Sequence, residues 1–207
     1  MKLWSPGAIL IVPMLLSAQT PAAPTADPPA TASTNAVSTA DPWTPLTPGQ
    51  KAKRRALRLI EPVTLASSAA GAGLDQWRRV PHGWDEGGEG YAIRFASSEG
   101  FTAAHNATAL IFDEAFHLDP RYRRLQEGGF RARVWNAISQ SFLTYKDSGG
   151  RTVNISEIGG NFAAGFIAGT WQPPGNRNAY DSLERGAIGL LYHTGKNIVR
   201  EFMPRKL

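Results

Sequence analysis

The chain of 207 residues has no cysteine and only three methionines. Without cysteine it forms no disulfide, carries no thiol nucleophile and has no site for thioether-linked lipid. It also lacks a long hydrophobic run, because the longest apolar stretches fall short of the roughly 20 residues that a membrane-spanning helix needs. These absences exclude disulfide-stapled secreted scaffolds, cysteine enzymes and a conventional spanning segment.

The N-terminus has the pattern of an export signal. Lys2 precedes an apolar run over residues 8–16, and Ser17 and Ala18 provide small residues for cleavage. We therefore predict a signal peptide over residues 1–18, with an uncleaved anchor as the alternative. Export of a protein without cysteine indicates a bacterial periplasmic or outer-envelope location.

Composition divides the remainder into two parts. Residues 19–49 contain seven Ala, seven Pro and seven Thr, and we predict a disordered linker there because such a segment buries little apolar surface. Residues 50–207 have the size of one domain. Helical periodicity recurs along this domain and strand signals are few, so we predict an all-α compact bundle of five to six helices. The main predicted helices are 50–59, 89–117, 130–145, 156–171 and 179–202.

Small residues are expected to form the helix contacts of this bundle. The domain contains 19 glycines in 158 residues, and several lie inside predicted helices, where each costs about 1 kcal/mol relative to alanine. Close approach of helix backbones would offset that cost. The residues expected to pack in this way are Gly160, Ala164, Gly165, Ala168 and Gly169.

Basic side chains cluster in two places, and we interpret both as contacts with an anionic membrane surface. An envelope protein is the other partner considered, and an exported location argues against nucleic acid. The residues assigned to this lipid or anion contact are Lys51, Lys53, Arg54, Arg55, Arg58, Arg121, Arg123 and Arg124.

The densest group of chemically active side chains is the stretch FDEAFHLDPRYRR, residues 112–124. Glu114 and His117 have the spacing of half a di-iron site, but no other histidine follows a glutamate at that spacing. We therefore predict no metal and no cofactor. The stretch is instead interpreted as a helix boundary, with Asp119 capping a new helix that has Pro120 at its first position.

No established catalytic template is present in the chain. An acidic group formed by Asp85, Glu86 and Glu89, with His117, supplies the best candidates for a hydrolase or glycan-acting site. A charged helix N-terminus is the simpler interpretation of these carboxylates, and we assign no catalytic residue.

Several short motifs occur in a characteristic order, and the chain resembles a family of uncharacterised exported bacterial proteins of similar size. That resemblance covers most of the domain, implies no activity and transfers no functional residue. The motifs are Leu46-Thr47-Pro48-Gly49-Gln50-Lys51, Gly90-Tyr91 with Arg94, Asp119-Pro120-Arg121-Tyr122, Trp171-Gln172-Pro173-Pro174 and Asn197-Ile198-Val199-Arg200-Glu201-Phe202-Met203-Pro204.

Together these features favour a non-enzymatic cell-envelope protein, a helical bundle that associates with a membrane surface or an envelope partner. A periplasmic hydrolase that uses the acidic group is one alternative. A membrane-inserted helical oligomer that packs through the Gly160–Gly169 face is the other.

Overall fold

A computed structural model describes residues 44–203 as a bundle of six α-helices with one small sheet. The predicted signal peptide and most of the predicted linker lie outside the described residues. The helices are α1 (Pro48–Leu57), α2 (Pro62–Arg78), α3 (Gly87–Ala115), α4 (Phe130–Phe142), α5 (Ile155–Gly169) and α6 (Ala179–Phe202). Short 3-10 turns cover Arg58–Ile60 and Pro174–Asn176.

The all-α prediction is confirmed, and the structure adds a three-stranded antiparallel sheet to it. Its strands are β1 (Leu118–Asp119), β2 (Leu143–Lys146) and β3 (Arg151–Val153), with β2 in the middle. The helix predicted to run through residue 145 instead ends at Phe142, where the backbone becomes extended and Leu143 pairs with Val153.

The start of the domain is set by a capping box. The Thr47 hydroxyl accepts a hydrogen bond from the Gln50 amide, and the Gln50 side chain accepts one from the Thr47 amide. Pro48 follows at the first helical position, where its missing N–H costs nothing. Ordered helix therefore begins two residues before the predicted boundary at residue 50.

Helix α5 packs against α3 on one side and α6 on the other. All five residues of the predicted small-residue face are buried along it. A Cβ at Gly160 would lie 3.0 Å from Ala109 Cβ on α3, and one at Gly165 would lie 2.2 Å from the Ser182 carbonyl oxygen on α6. The face is thus occupied by contacts within this chain.

The interior of the bundle is polar. Among the described residues the buried apolar side chains are five alanines, Leu118 and Pro120, whereas 21 polar or charged residues are buried. Helix α6 shows the pattern most clearly. The residues it buries are Ser182, Gly186, His193, Asn197 and Glu201.

The exterior of the bundle carries many large apolar side chains among its charged groups. Trp77 is 80% exposed and Leu191 is 70% exposed, so large apolar side chains that usually fill a core face outward. Among residues 44–203, no helix is both long and apolar enough to cross a bilayer. Apolar side chains more than half exposed are Leu57, Ile60, Trp77, Ile111, Phe130, Trp135, Val153, Tyr180 and Leu191.

The close contact of α5 with α6 predicts opposite effects for two glycine substitutions. Gly165→Ala should destabilise the fold by about 1–3 kcal/mol, because the added methyl meets backbone that cannot rotate away. Gly195→Ala on α6 has open space around it and should stabilise the fold by roughly 0.5–1 kcal/mol. Urea unfolding followed by circular dichroism measures both. Equal effects of the two substitutions would contradict the described packing.

Candidate functional site

Helix α1 and the 3-10 turn after it direct Lys51, Arg55 and Arg58 into the bundle. Arg55 bridges two buried carboxylates, with Nη2 2.8 Å from Asp113 Oδ2 and Nη1 2.8 Å from Glu157 Oε1. Arg58, one turn further along, places Nη1 3.0 Å from the same Glu157 oxygen. Lys51 Nζ lies 2.6 Å from Asp147 Oδ2. Three cations from the first helical turns are therefore balanced by three acids.

Glu157 is the centre of this cluster. Its second oxygen, Oε2, lies 3.0 Å from His105 Nε2 on α3 and 3.0 Å from His193 Nδ1 on α6. Both distances are within hydrogen-bonding range, and Oε2 has no other partner among the described residues. One carboxylate thus connects α1, α3, α5 and α6. We name Arg55, Arg58, His105, Glu157 and His193 the Glu157 cluster.

The protonation states of the cluster follow from burial and charge. Burial lowers the pKa of His193 to about 4, and it lowers the pKa of His105 as well, although Glu157 partly opposes both shifts. Burial by itself would raise the pKa of Glu157, but the positive charge of His193, Arg55 and His105 holds that pKa well below its usual value. At neutral pH both imidazoles are neutral, and the guanidinium groups balance the carboxylate.

A second buried carboxylate, Glu201, organises the other end of α6. It accepts hydrogen bonds from the Tyr122 hydroxyl at 2.5 Å, the Leu125 amide at 2.9 Å and Asn136 Nδ2 at 3.3 Å. Burial, the hydrogen bond to Glu201 and its charge raise the pKa of Tyr122. The Asp-Pro-Arg-Tyr motif thereby meets the Arg-Glu-Phe motif near the end of the described chain.

Two cavities adjoin the Glu157 cluster and share His193. One, of about 20 Å³, lies beside Pro120 and has room for about one water molecule. The other, of about 90 Å³, lies between α2, α3 and α6 and has room for about six water-sized groups. Its lining is mixed: Phe101 and two glycines contribute apolar surface, and the polar groups include Lys196, Asp75 and several hydroxyl groups.

Comparison with known protein families, with curated proteins and with solved structures gives no match. Within residues 44–203, no group of three or more histidine, aspartate or glutamate side chains is arranged to hold a metal ion.

The structure corrects the lipid-contact prediction for Lys51, Arg55 and Arg58. Lys51 and Arg55 are 1% and 2% exposed, and Arg58 is nearly buried, so their side chains balance acids in the interior and do not reach a membrane surface. Lys53 and Arg54, on the opposite side of α1, are exposed.

The three arginines of the second predicted basic patch are partly buried and hold the segment after β1. Arg121 pairs with Asp119. The Arg123 guanidinium lies 4.4 Å from the centre of the Tyr145 ring. Arg124 donates a hydrogen bond to the Met203 carbonyl at 2.8 Å.

The helix boundary predicted at residues 112–124 exists, but its details differ. Helix α3 ends at Ala115, and His117 adopts a left-handed backbone conformation with a φ of 51°. Asp119 lies in β1 and not at a helix N-cap, because its carboxylate accepts a hydrogen bond from the Arg121 amide and no helix follows until Phe130.

The acidic group at the start of α3 does not converge with His117. Asp85, Glu86 and Glu89 are exposed, and Glu86 pairs with Arg79 on the surface. His117 lies beyond the opposite end of the 29-residue helix, about 40 Å along its axis at 1.5 Å per residue. These four side chains therefore do not form one site.

Glu157, His193 and Lys196 belong to none of the sites predicted from the sequence. A signal for His193 exists in α6, where Ser182, Gly186, His193 and Asn197 recur at steps of four and seven. That polar stripe has helical periodicity, but a stripe of this kind ordinarily marks the solvent face.

The first prediction for this site concerns the buried charge. Glu157→Gln should destabilise the protein by about 3–5 kcal/mol, because Arg55 and Arg58 lose their shared carboxylate and remain inside the bundle. Urea unfolding measures the loss. Glu86→Gln, which removes a carboxylate from an exposed ion pair, is the matched control and should have little effect. Comparable losses in the two variants would contradict a central role for Glu157.

The second prediction concerns pH. Because the pKa of His193 is about 4 in the folded protein and about 6.5 when unfolded, the unfolded chain binds more protons between these values. The free energy of unfolding should therefore be highest above pH 6.5 and fall by roughly 2–3 kcal/mol by pH 4.5. Protonation of Glu157 would lower it further only at more acidic pH. His193→Gln should flatten this dependence, whereas His82→Gln, in an exposed loop, should preserve it. An unchanged profile in His193→Gln would refute the assignment.

Proposed function

We propose that this chain is a non-enzymatic cell-envelope protein that binds a membrane surface through its apolar exterior. The observation that supports this proposal is the inverted polarity of the bundle, with ion pairs inside and large apolar side chains outside. Soluble monomers rarely expose extensive contiguous apolar surface, because leaving it in water forgoes roughly 25 cal/mol for each Å². A hydrocarbon environment would recover that free energy.

The outward side of α1 has the chemistry of an interfacial helix. Lys53 and Arg54 are exposed there, and Leu57 and Ile60 follow at 53% and 68% exposure. Basic groups bound to anionic headgroups contribute about 1 kcal/mol each, and adjacent apolar side chains enter the acyl boundary. The proposal therefore retains the predicted membrane contact but transfers it to the side of α1 that faces away from the bundle.

The alternative functions have less support. The acidic group proposed for a hydrolase is exposed at the start of α3, and His117, the only base assigned to it, lies at the other end of that helix. The Gly160–Gly169 face proposed for an oligomer is engaged by α3 and α6 of the same chain. An envelope protein that covers the apolar exterior remains the second candidate partner.

Flotation of the purified protein with vesicles tests the proposal. We expect flotation with anionic vesicles, weaker flotation with neutral vesicles, and partial reversal by salt, because charge and apolar contact both contribute. The Lys53→Gln/Arg54→Gln variant should lose the preference for anionic vesicles. The Leu57→Ser/Ile60→Ser variant should float less with vesicles of either kind.

Arg131→Gln/Lys146→Gln removes two exposed cations elsewhere and serves as the charge-matched control. It should float like the unsubstituted protein. No flotation under any condition would refute the membrane proposal and favour an envelope protein partner. Equal losses in the control and in the Lys53→Gln/Arg54→Gln variant would refute the assignment to α1.

A further inference from the structure

The larger cavity beside the Glu157 cluster contains a basic side chain without a counter-ion. Lys196 lines this cavity, and it makes no ion pair or hydrogen bond within the described part of the chain. The neighbouring cations differ, because Arg58 is paired with Glu157 and Arg200 with Glu61. Burial, followed by the charge of Arg200, lowers the pKa of Lys196 to about 8. The charges of Glu157 and Glu61 oppose this shift, but neither carboxylate pairs directly with the half-buried Lys196 side chain.

Uncharged polar groups surround the same space. Ser68 and Thr102 line the cavity, and neither side chain makes a hydrogen bond to the described residues. The Asn161 side chain also lines it and donates to the Glu157 carbonyl at 2.7 Å, which leaves its oxygen as an acceptor. Hydroxyl groups donate as well as accept, so two donors lie beside the cation.

The imidazoles supply acceptors. Since His105 Nε2 and His193 Nδ1 both lie against the Glu157 carboxylate, the neutral rings keep their protons on those atoms. In this tautomer the remaining nitrogens, His105 Nδ1 and His193 Nε2, are hydrogen-bond acceptors. The cavity therefore combines one cation, hydroxyl donors and ring acceptors.

We propose that this cavity is a binding site for a small oxyanion, a phosphate or carboxylate group that also carries a hydroxyl. The oxyanion would pair with Lys196 and accept from Ser68 and Thr102, and its hydroxyl would donate to an imidazole nitrogen. A volume of about 90 Å³ accommodates a group of this size. Asp75 lines the same cavity without pairing with Lys196, and its carboxylate disfavours ligands that carry several negative charges.

Titration of the purified protein by isothermal calorimetry at constant ionic strength tests the site. The probes are inorganic phosphate, glycolate and a water-soluble short-chain phosphatidic acid, which separate a free ion from a lipid headgroup. We expect saturable binding of at least one probe and a loss of affinity of tenfold or more in Lys196→Met. Lys146→Met makes the same change at an exposed position outside the α1 contact and should leave the affinity unchanged.

A second variant keeps the test decisive if Lys196→Met folds poorly. Ser68→Leu fills the cavity while retaining the ammonium group, and it should also lose tenfold or more in affinity. Binding of phosphate or glycolate identifies a free anion as the ligand class, and Lys196-dependent binding of the lipid alone identifies a headgroup. The proposal fails if no probe binds saturably, or if folded Lys196→Met or Ser68→Leu protein binds like the unsubstituted protein.

Discussion

The structure depends on the need to balance one buried carboxylate. Glu157 is 3% exposed, and its charge is stable inside the bundle only because Arg55 and Arg58 reach it. An unpaired charge at this depth would cost several kcal/mol. The need to pair Glu157 with Arg55 and Arg58 fixes the position of α1. Arg58 also donates a hydrogen bond to the Pro120 carbonyl at 2.6 Å, and this bond holds the segment after β1 against the same cluster.

The polar interior determines the character of the surface. A helix that buries His193, Asn197 and Glu201 directs its remaining positions outward, and in α6 these include Leu191 and Val199. Small residues elsewhere allow the helices to approach closely, so the ionic cluster is enclosed by packed backbone. The same arrangement supports membrane association at the exterior and an anion site in the interior. Flotation tests the first proposal and calorimetric titration tests the second, so either one can be refuted without the other.

Short motifs that are far apart in the sequence contact one another in the fold. Tyr122 and Glu201 lie 79 positions apart, yet their side chains form a hydrogen bond of 2.5 Å. Trp171 donates to Ser97 and lies against Gly100 of α3, where a Cβ would come within 3.3 Å of the indole. Motifs that are separated along the chain therefore hold neighbouring elements together through hydrogen bonds and packing contacts.

The sequence by itself determined the helical class, the approximate helix positions and the small-residue face of α5, because periodicity and glycine content are local properties. It did not determine which side of each helix faces inward. Lys51 and Arg55 were expected at the surface, since isolated basic side chains prefer water, but acids from α3, α5 and the β2–β3 turn offset their desolvation. The Glu157 cluster and the Lys196 cavity exist only once α3, α5 and α6 come together. Tertiary structure decided these features because the interactions that stabilise them join groups that are far apart in the chain.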